Sequence, residues 1–253
     1  MRVLTTNLAE TGTLYNADGF PLAAAYRYDP YELLAPTLDR CWRAGAAATT
    51  HAIVVDLGAE MSVNCAAVFD LYSASYMNPA VRVYSGPAAT GPWTLVSALT
   101  NGGRRDWGGA WTARSARFWK FELVPNLLAA TTPEVAYLTL GLATDLRRGE
   151  VTRAIESVDQ VVINGSDAVK TGEEYLRLSL RWGTLTAADH AELYLLKRAV
   201  GGGLKPFVLW PNVYAPGAVY LGRLSPGMNW AESAPVYTGH ELTFTEMERI
   251  LRG

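Results

Sequence analysis

Two cysteines, Cys41 and Cys65, and three histidines, His51, His190 and His240, are all that 253 residues offer a transition metal or a redox couple. No two of them stand at the spacing of a zinc knuckle, a CxxC pair or an HExxH helix, so neither metal nor thiol chemistry has local support. Both thiols are expected to be buried and reduced. Long apolar runs are also missing. Nothing approaches the ~20 residues of a membrane span, and the opening "MRVLTTNLAETGT" holds no apolar core of signal-peptide length, so synthesis in the cytoplasm without a signal peptide is expected. With 22 basic against 24 acidic residues the net charge is −2, which gives nucleic acid or an anionic membrane no attraction to exploit. Arg104-Arg105 and Arg147-Arg148 are expected in solvated loops. Asn164-Gly165-Ser166 matches a glycosylation sequon, but without a secretory signal it reads as a turn.

Catalytic signatures are absent too. There is no G-x-S-x-G elbow, no G-x-x-x-x-G-K-[ST] loop and no G-x-G-x-x-G fingerprint. Gly201 to Gly203 with Lys205 follow a helical pattern, whereas a phosphate loop must precede one so that free N–H groups face the anion. They read as a helix stop. Asp56, Asp70 and Asp106 are candidate acids, yet nothing nearby pairs any of them as general acid and base, although such pairs leave little spacing signature. No catalytic residue, cofactor or metal is expected. Asp56 in "IVVDLG" is instead expected at the end of a core strand, bonding turn amides or a neighbouring Arg or Trp N–H.

What the chain has is β signal in two styles. A composition 49% hydrophobic and 18% charged fits a folded protein, here divided into two domains. From about 50 to 143 short strands follow one another: "HAIVVDLG", "NCAAVFDLY", "AVRVYSG", and "RFWKFELV" with Trp119, Phe121 and Leu123 on one face. Gly/Pro/Asn turns separate them, the pattern of a sandwich or jelly roll. At "DLRRGE" the character changes. "EYLRLSLRW" alternates strictly, with Leu176, Leu178, Leu180 and Trp182 opposite Tyr175, Arg177, Ser179 and Arg181. A helix then spans "TAADHAELYLLKRAVGGG", capped by Thr186 with Asp189 in its first turn, Lys197 and Arg198 in its last and Gly201 as its stop. "KPFVLWPN", "AVYLGRL" and "HELTFTEME" are strand-like again. The second unit is α+β, one helix on an antiparallel sheet. Expected boundaries are 1–34 for an N-terminal segment packing with the C-terminal domain, 35–145 for the jelly roll and 150–253 for the α+β domain.

The stretch "NGGRRDWGGAWTARSARFW" joins glycines to Arg104, Arg105, Asp106, Trp107 and Trp111. A sugar site needs a flat apolar platform and a few fixed hydrogen-bonding groups, and these five residues are the candidate ligand site. The alternative is packing, with Trp111 inside and Trp107 covering the edge of the sandwich.

Trp42, Asp56-Leu57-Gly58, Gly91-Pro92-Trp93 and Arg117-Phe118-Trp119 occur in an order that resembles the discoidin, or coagulation-factor C-type, module. That resemblance covers roughly residues 35 to 145 and implies a galactose-binding-like jelly roll. No cysteine pair brackets the module as in secreted members, and their ligand-binding loops find no residue-by-residue match. The segment "YLRLSLRWGTLTAADHAELYLLKRAVGGGLKPFVLWPN…VYLGRL…LTFTEME" is similar to distal tail and baseplate proteins of long-tailed bacteriophages. This second resemblance implies a structural virion protein at the phage tail tip. It implies a homo-oligomeric ring, expected to be a hexamer, that joins the tail tube to baseplate hub and tail fibre proteins. The jelly roll would project outward, with a host surface glycan as a further partner. Arg177, Arg181 and Arg223 are the candidate interface residues, able to pair with carboxylates of a neighbouring copy. The alternative function is a monomeric carbohydrate-binding module.

Overall fold

The computed structural model describes residues 1–25, 28–38, 40–72, 79–102, 105–124, 130–147, 150–164, 167–225 and 237–247, with side chains described for all of these except 153–164, 167–176, 183–184 and 237–241. In chain order the first strands are β1 Arg2–Leu4, β2 Thr13–Tyr15, β3 Trp42–Arg43, β4 His51–Phe69, β5 Ala80–Gly86, β6 Thr94–Asn101 and β7 Trp107–Val124. They are followed by β8 Glu134–Val135, β9 Tyr137–Gly141, β10 Thr144–Asp145, β11 Glu150–Asn164 and β12 Asp167–Leu185. Helix α1 Ala187–Ala199, β13 Phe207–Trp210, β14 Tyr220–Leu224 and β15 Tyr237–Glu246 complete the set.

The first unit is an antiparallel β jelly roll. Its sheet runs β2-β4-β7-β5-β6, with β9 on β4 and β6 also reaching β7. Two long strands organise it: β4 and β7 pair from His51↔Leu123 to Val68↔Trp107. "HAIVVDLG" and "NCAAVFDLY", expected as separate strands, are one strand of 19 residues. Irregularities between Asp56 and Met61 and between Val63 and Cys65 bend it, because an unpaired residue on one side kinks and twists a ladder. Gly58, at φ 75, supplies a conformation that side-chain-bearing residues avoid. Alternation then fills the core with Ile53 and Val55, Val81 and Val83, Trp119, Phe121 and Leu123, and Leu138 and Leu140, all fully buried. Each such side chain contributes about 1.5–3 kcal/mol by leaving water.

The second unit is a seven-stranded sheet in the order β10-β1-β13-β14-β15-β12-β11. One face carries α1, whose Leu193 and Leu196, with Val200 just past its end, share a core with Leu178, Leu180, Trp182, Leu242 and Phe244. The helix starts where expected. Thr186 Oγ1 accepts from Asp189 N at 3.1 Å, and Asp189 Oδ2 accepts from Thr186 N at 3.0 Å, a reciprocal capping box. The helix ends at Ala199, before three glycines of positive φ.

The first residues divide between the two units. β1 lies between β10 and β13, pairing Val3 with Leu209 and Thr144, whereas β2 pairs with β4, Leu14 opposite Val55. A third core joins the units. Cys65, Ala67 and Phe69 of β4 and Tyr137 of β9 meet Leu4, Val208, Trp210, Val219 and Leu221. On β4 the alternation thus serves two cores: Ala66 and Val68 face the jelly-roll interior, and their neighbours face the second sheet. Close approach at this seam demands glycine. A Cβ at Gly217 would stand 2.8 Å from Thr100 O, and one at Gly108 would collide with Pro216 O.

Candidate functional site

Among the described residues, the loop singled out by sequence does not assemble a sugar platform. Arg104 lies outside the described residues. Asp106 is 1% exposed, and its Oδ1 accepts from Asp70 N at 3.0 Å. Leu71 N donates to Arg105 O at 2.8 Å, so segments 70–72 and 105–106 are stitched edge to edge. The Arg105 guanidinium lies 4.5 Å over the Tyr72 ring and 3.7 Å from Asp70 Oδ1. Trp107 begins β7 and is 4% exposed. A ring sealed in the core has no face to offer a sugar. Trp111 is half-buried, stacked on Trp119 at 6.2 Å, with its Nε1 donating to Val63 O at 3.1 Å. The packing alternative therefore comes out with its roles exchanged: Trp107 is inside and Trp111 covers. Of the four described residues, Arg105 and Trp111 reach solvent, each already engaged.

Asp56 has the structural part expected of it. Its Oδ1 accepts from Gly58 N at 2.8 Å, and its two oxygens take Arg117 Nε and Nη2 at 2.7 and 2.8 Å. The side-chain bonds from Arg117 hold its carboxyl below the usual range, against the opposing effect of burial. It sits at the bend of β4 rather than at the strand's end, because β4 continues through the irregularity to Phe69.

A second cluster went unnoticed in the sequence. β5 and β7 are neighbours, and register sets Arg82 opposite Glu122 and Tyr84 opposite Lys120 on the outer jelly-roll face. Glu122 accepts from Tyr84 Oη at 2.9 Å, from Lys120 Nζ at 3.2 Å and from Arg82 Nη1 at 3.4 Å. Lys120 Nζ also lies 4.1 Å over the Tyr84 ring and 5.5 Å over the Trp93 ring. Trp93 rests against Gly86, where a Cβ would come within 2.9 Å of the indole. Burial pushes the Glu122 carboxyl up, and the bonds from Tyr84, Lys120 and Arg82 outweigh it, leaving it below the usual range. Burial, and then the bond to Glu122, raise the Tyr84 hydroxyl. Both strands advertise this face through alternation, but their adjacency is a matter of topology.

On the second sheet, Arg177, Arg181 and Arg223 are exposed, on the face opposite α1. Register aligns Arg177 with Thr245 and Thr245 with Arg223 in one row. Arg181 lies opposite Glu241 and Glu150 in another. Near the first row opens a cleft of about 630 Å³ whose lining includes Leu38, Leu204, Arg223, Thr245 and Met247. Among the described residues no three His, Cys, Asp or Glu gather as metal ligands, and no helix is long and apolar enough to cross a membrane.

No protein-family model matches the chain. No curated protein matches it either. Among solved structures, a chitosan-binding module from a Paenibacillus chitosanase/glucanase is similar at 18% identity and TM-score 0.42, over 53% of this chain and 98% of that one. The CBM32-3 module of a Clostridium perfringens family 31 glycoside hydrolase is similar at 13% identity and TM-score 0.42, over 55% and 94%. A Ruminococcus gnavus GH29 fucosidase in complex with fucose is similar at 16% identity and TM-score 0.45, over 56% of this chain and only 28% of its own length. Two of these neighbours are themselves carbohydrate-binding modules.

Proposed function

We propose that the protein is a non-catalytic assembly subunit of a long-tailed phage, a distal tail or baseplate component that forms a ring, as a hexamer, between the tail tube and the hub and fibre proteins. One observation supports this reading above the others. β15 pairs with β12 only from Arg177 to Leu185, whereas β11 and β12 stay paired out to Asn164↔Asp167. Ten residues of each strand thus form a two-stranded arm to which no further strand pairs among the described residues. An isolated hairpin is marginally stable at best in water, and open edges invite pairing with another chain. Such an arm suits a subunit completed by its neighbours. The candidate interface arginines lie on the same sheet, and the jelly roll packs towards its other end.

Native mass spectrometry of the full chain, alone and with tail tubes, tests the reading. A closed multiple of one copy number is expected; a monomer under both conditions overturns it.

The second reading is glycan recognition by the jelly roll. It draws on the outer face, where Trp93 and Tyr84 present aromatic surface beside Lys120, Glu122 and Arg82. A glycan array with the wild-type protein and Trp93→Ala tests it: binding lost in a folded variant supports a sugar site there, and no binding by the wild type refutes it.

A further inference from the structure

We propose that the cleft beside β14 and β15 binds a carboxylate carried on an apolar body, with the carboxylate on Arg223 and the body between Leu38, Leu204 and Met247. The site is separate from both readings above and needs neither. At about 630 Å³ the cleft has the size of a small-molecule site, and such sites are mostly apolar with a few well-placed polar groups. One wall is Leu38, anchored in the core that joins the two units. Another is Leu204, a large apolar side chain that is 81% exposed. Its place follows from the glycines after α1. Gly203 has φ 109, and a Cβ there would stand 2.5 Å from Leu224 O, so glycine is what lets the chain lie against the end of β14 and sets the next side chain at the cleft. The residues that stop the helix thus also shape this site.

Two polar groups of the lining have no partner among the described residues, and they select the ligand. Arg223 is exposed and makes no hydrogen bond or ion pair there. Its planar guanidinium offers two parallel N–H groups, the match of a carboxylate. The Thr37 hydroxyl is buried without a hydrogen bond, a state that costs stability until a partner arrives. Ser225 Oγ and Thr245 Oγ1, 2.9 Å apart, satisfy each other and keep lone pairs for a ligand donor. Glu246 also lines the cleft, but it is buried and already holds an interaction. Alternation along β15 puts it on the side of Phe244, whereas Thr245 shares the side of Arg223. One guanidinium with a carboxylate close behind it suits a single negative charge; a phosphate monoester, with nearly two, would be repelled by Glu246. A free organic acid and the last residue of another protein chain share this chemistry. They differ in that the chain end also brings an amide N–H, for which Ser225 and Thr245 supply acceptors.

The test is calorimetric titration of the full chain with octanoate, with N-acetyl-L-leucine and with the uncharged N-acetyl-L-leucinamide, circular dichroism verifying that each variant is folded. A carboxylate probe is expected to bind in the millimolar range or tighter, and the amide at least roughly tenfold more weakly. Arg223→Gln should weaken the carboxylates by about tenfold or more and leave the amide unchanged, with Arg223→Lys keeping part of the affinity. Thr37→Val, nearly the same shape, should fold as well as the wild type, since its hydroxyl has no partner to lose, yet bind several-fold more weakly. Tighter binding of N-acetyl-L-leucine than of octanoate assigns the site to a chain end, and the reverse order to a free acid. No binding by either carboxylate overturns the proposal. So does an amide that binds as well as its acid, or an Arg223→Gln chain that binds the carboxylates like the wild type. A Thr37→Val chain with unaltered affinity overturns the part given to Thr37.

Discussion

Replacing Trp210 by alanine tests whether the two sheets share one fate on unfolding. The indole is 1% exposed, lies in the core between jelly roll and second sheet, and donates from Nε1 to Pro216 O at 3.0 Å. Truncating a buried aromatic costs about 3–5 kcal/mol, from lost transfer energy and the cavity left behind. The carbonyl of Pro216 loses a donor, a further cost of about 1–3 kcal/mol where water does not replace it. For a chain of this length each kcal/mol lowers the melting temperature by roughly 2–4 °C, so a drop on the order of 10 °C is expected. Differential scanning calorimetry reads it. The wild type should melt in one transition, because Phe69 and Tyr137 of the jelly roll pack on the same cluster as Val208 and Leu221. In Trp210→Ala both units are destabilised together. Two transitions in the wild type, or a jelly-roll transition that ignores Trp210→Ala, would refute a shared core.

Thr186→Ala removes half of the capping box and is expected to cost about 1 kcal/mol in chemical denaturation, with Thr186→Ser restoring most of it. Trp107→Ala should destabilise by about 3–5 kcal/mol, and any glycan binding it abolishes should vanish in step with folding, as titrating binding against folded fraction would reveal. Asp56 has a depressed folded pKa, so its stabilisation is complete above the unfolded value of about 3.9 and is lost as pH falls through the folded value. The stability gap between wild type and Asp56→Asn should therefore be wide at about pH 7 and narrow at about pH 2.5; an equal gap at both would contradict the role assigned to Arg117.

Alternation was enough to identify which side chains enter the cores. Trp119, Phe121 and Leu123 go in from "RFWKFELV", and Leu178, Leu180 and Trp182 from "EYLRLSLRW". Thr186 and Asp189 advertised the helix start through their own chemistry. What local pattern cannot carry is the partner of each strand. Arg82, Tyr84, Lys120 and Glu122 become one network only because β5 lies beside β7. The same blindness misplaced the 101–111 site. Glycine beside tryptophan looks like a flexible binding loop, but Gly102 and Gly108 are small because the backbone of residues 216–217 presses on them, and Trp107 is drawn inside. One strand appeared as two because an apolar run broken by Asp-Leu-Gly reads as a turn, whereas here it is a bulge held shut by Arg117.

The placement of β1 has a kinetic consequence. Its partner β13 follows more than 200 residues later, so during synthesis the first strand waits, at about 5–20 residues per second, some 10–40 s for the edge it will occupy. The jelly roll has time to condense in that interval and hold β1 close through Leu4, turning a distant search into a local one. The central order of events on the ribosome would then be inside-out, the inserted module first and the sheet that encloses its ends last.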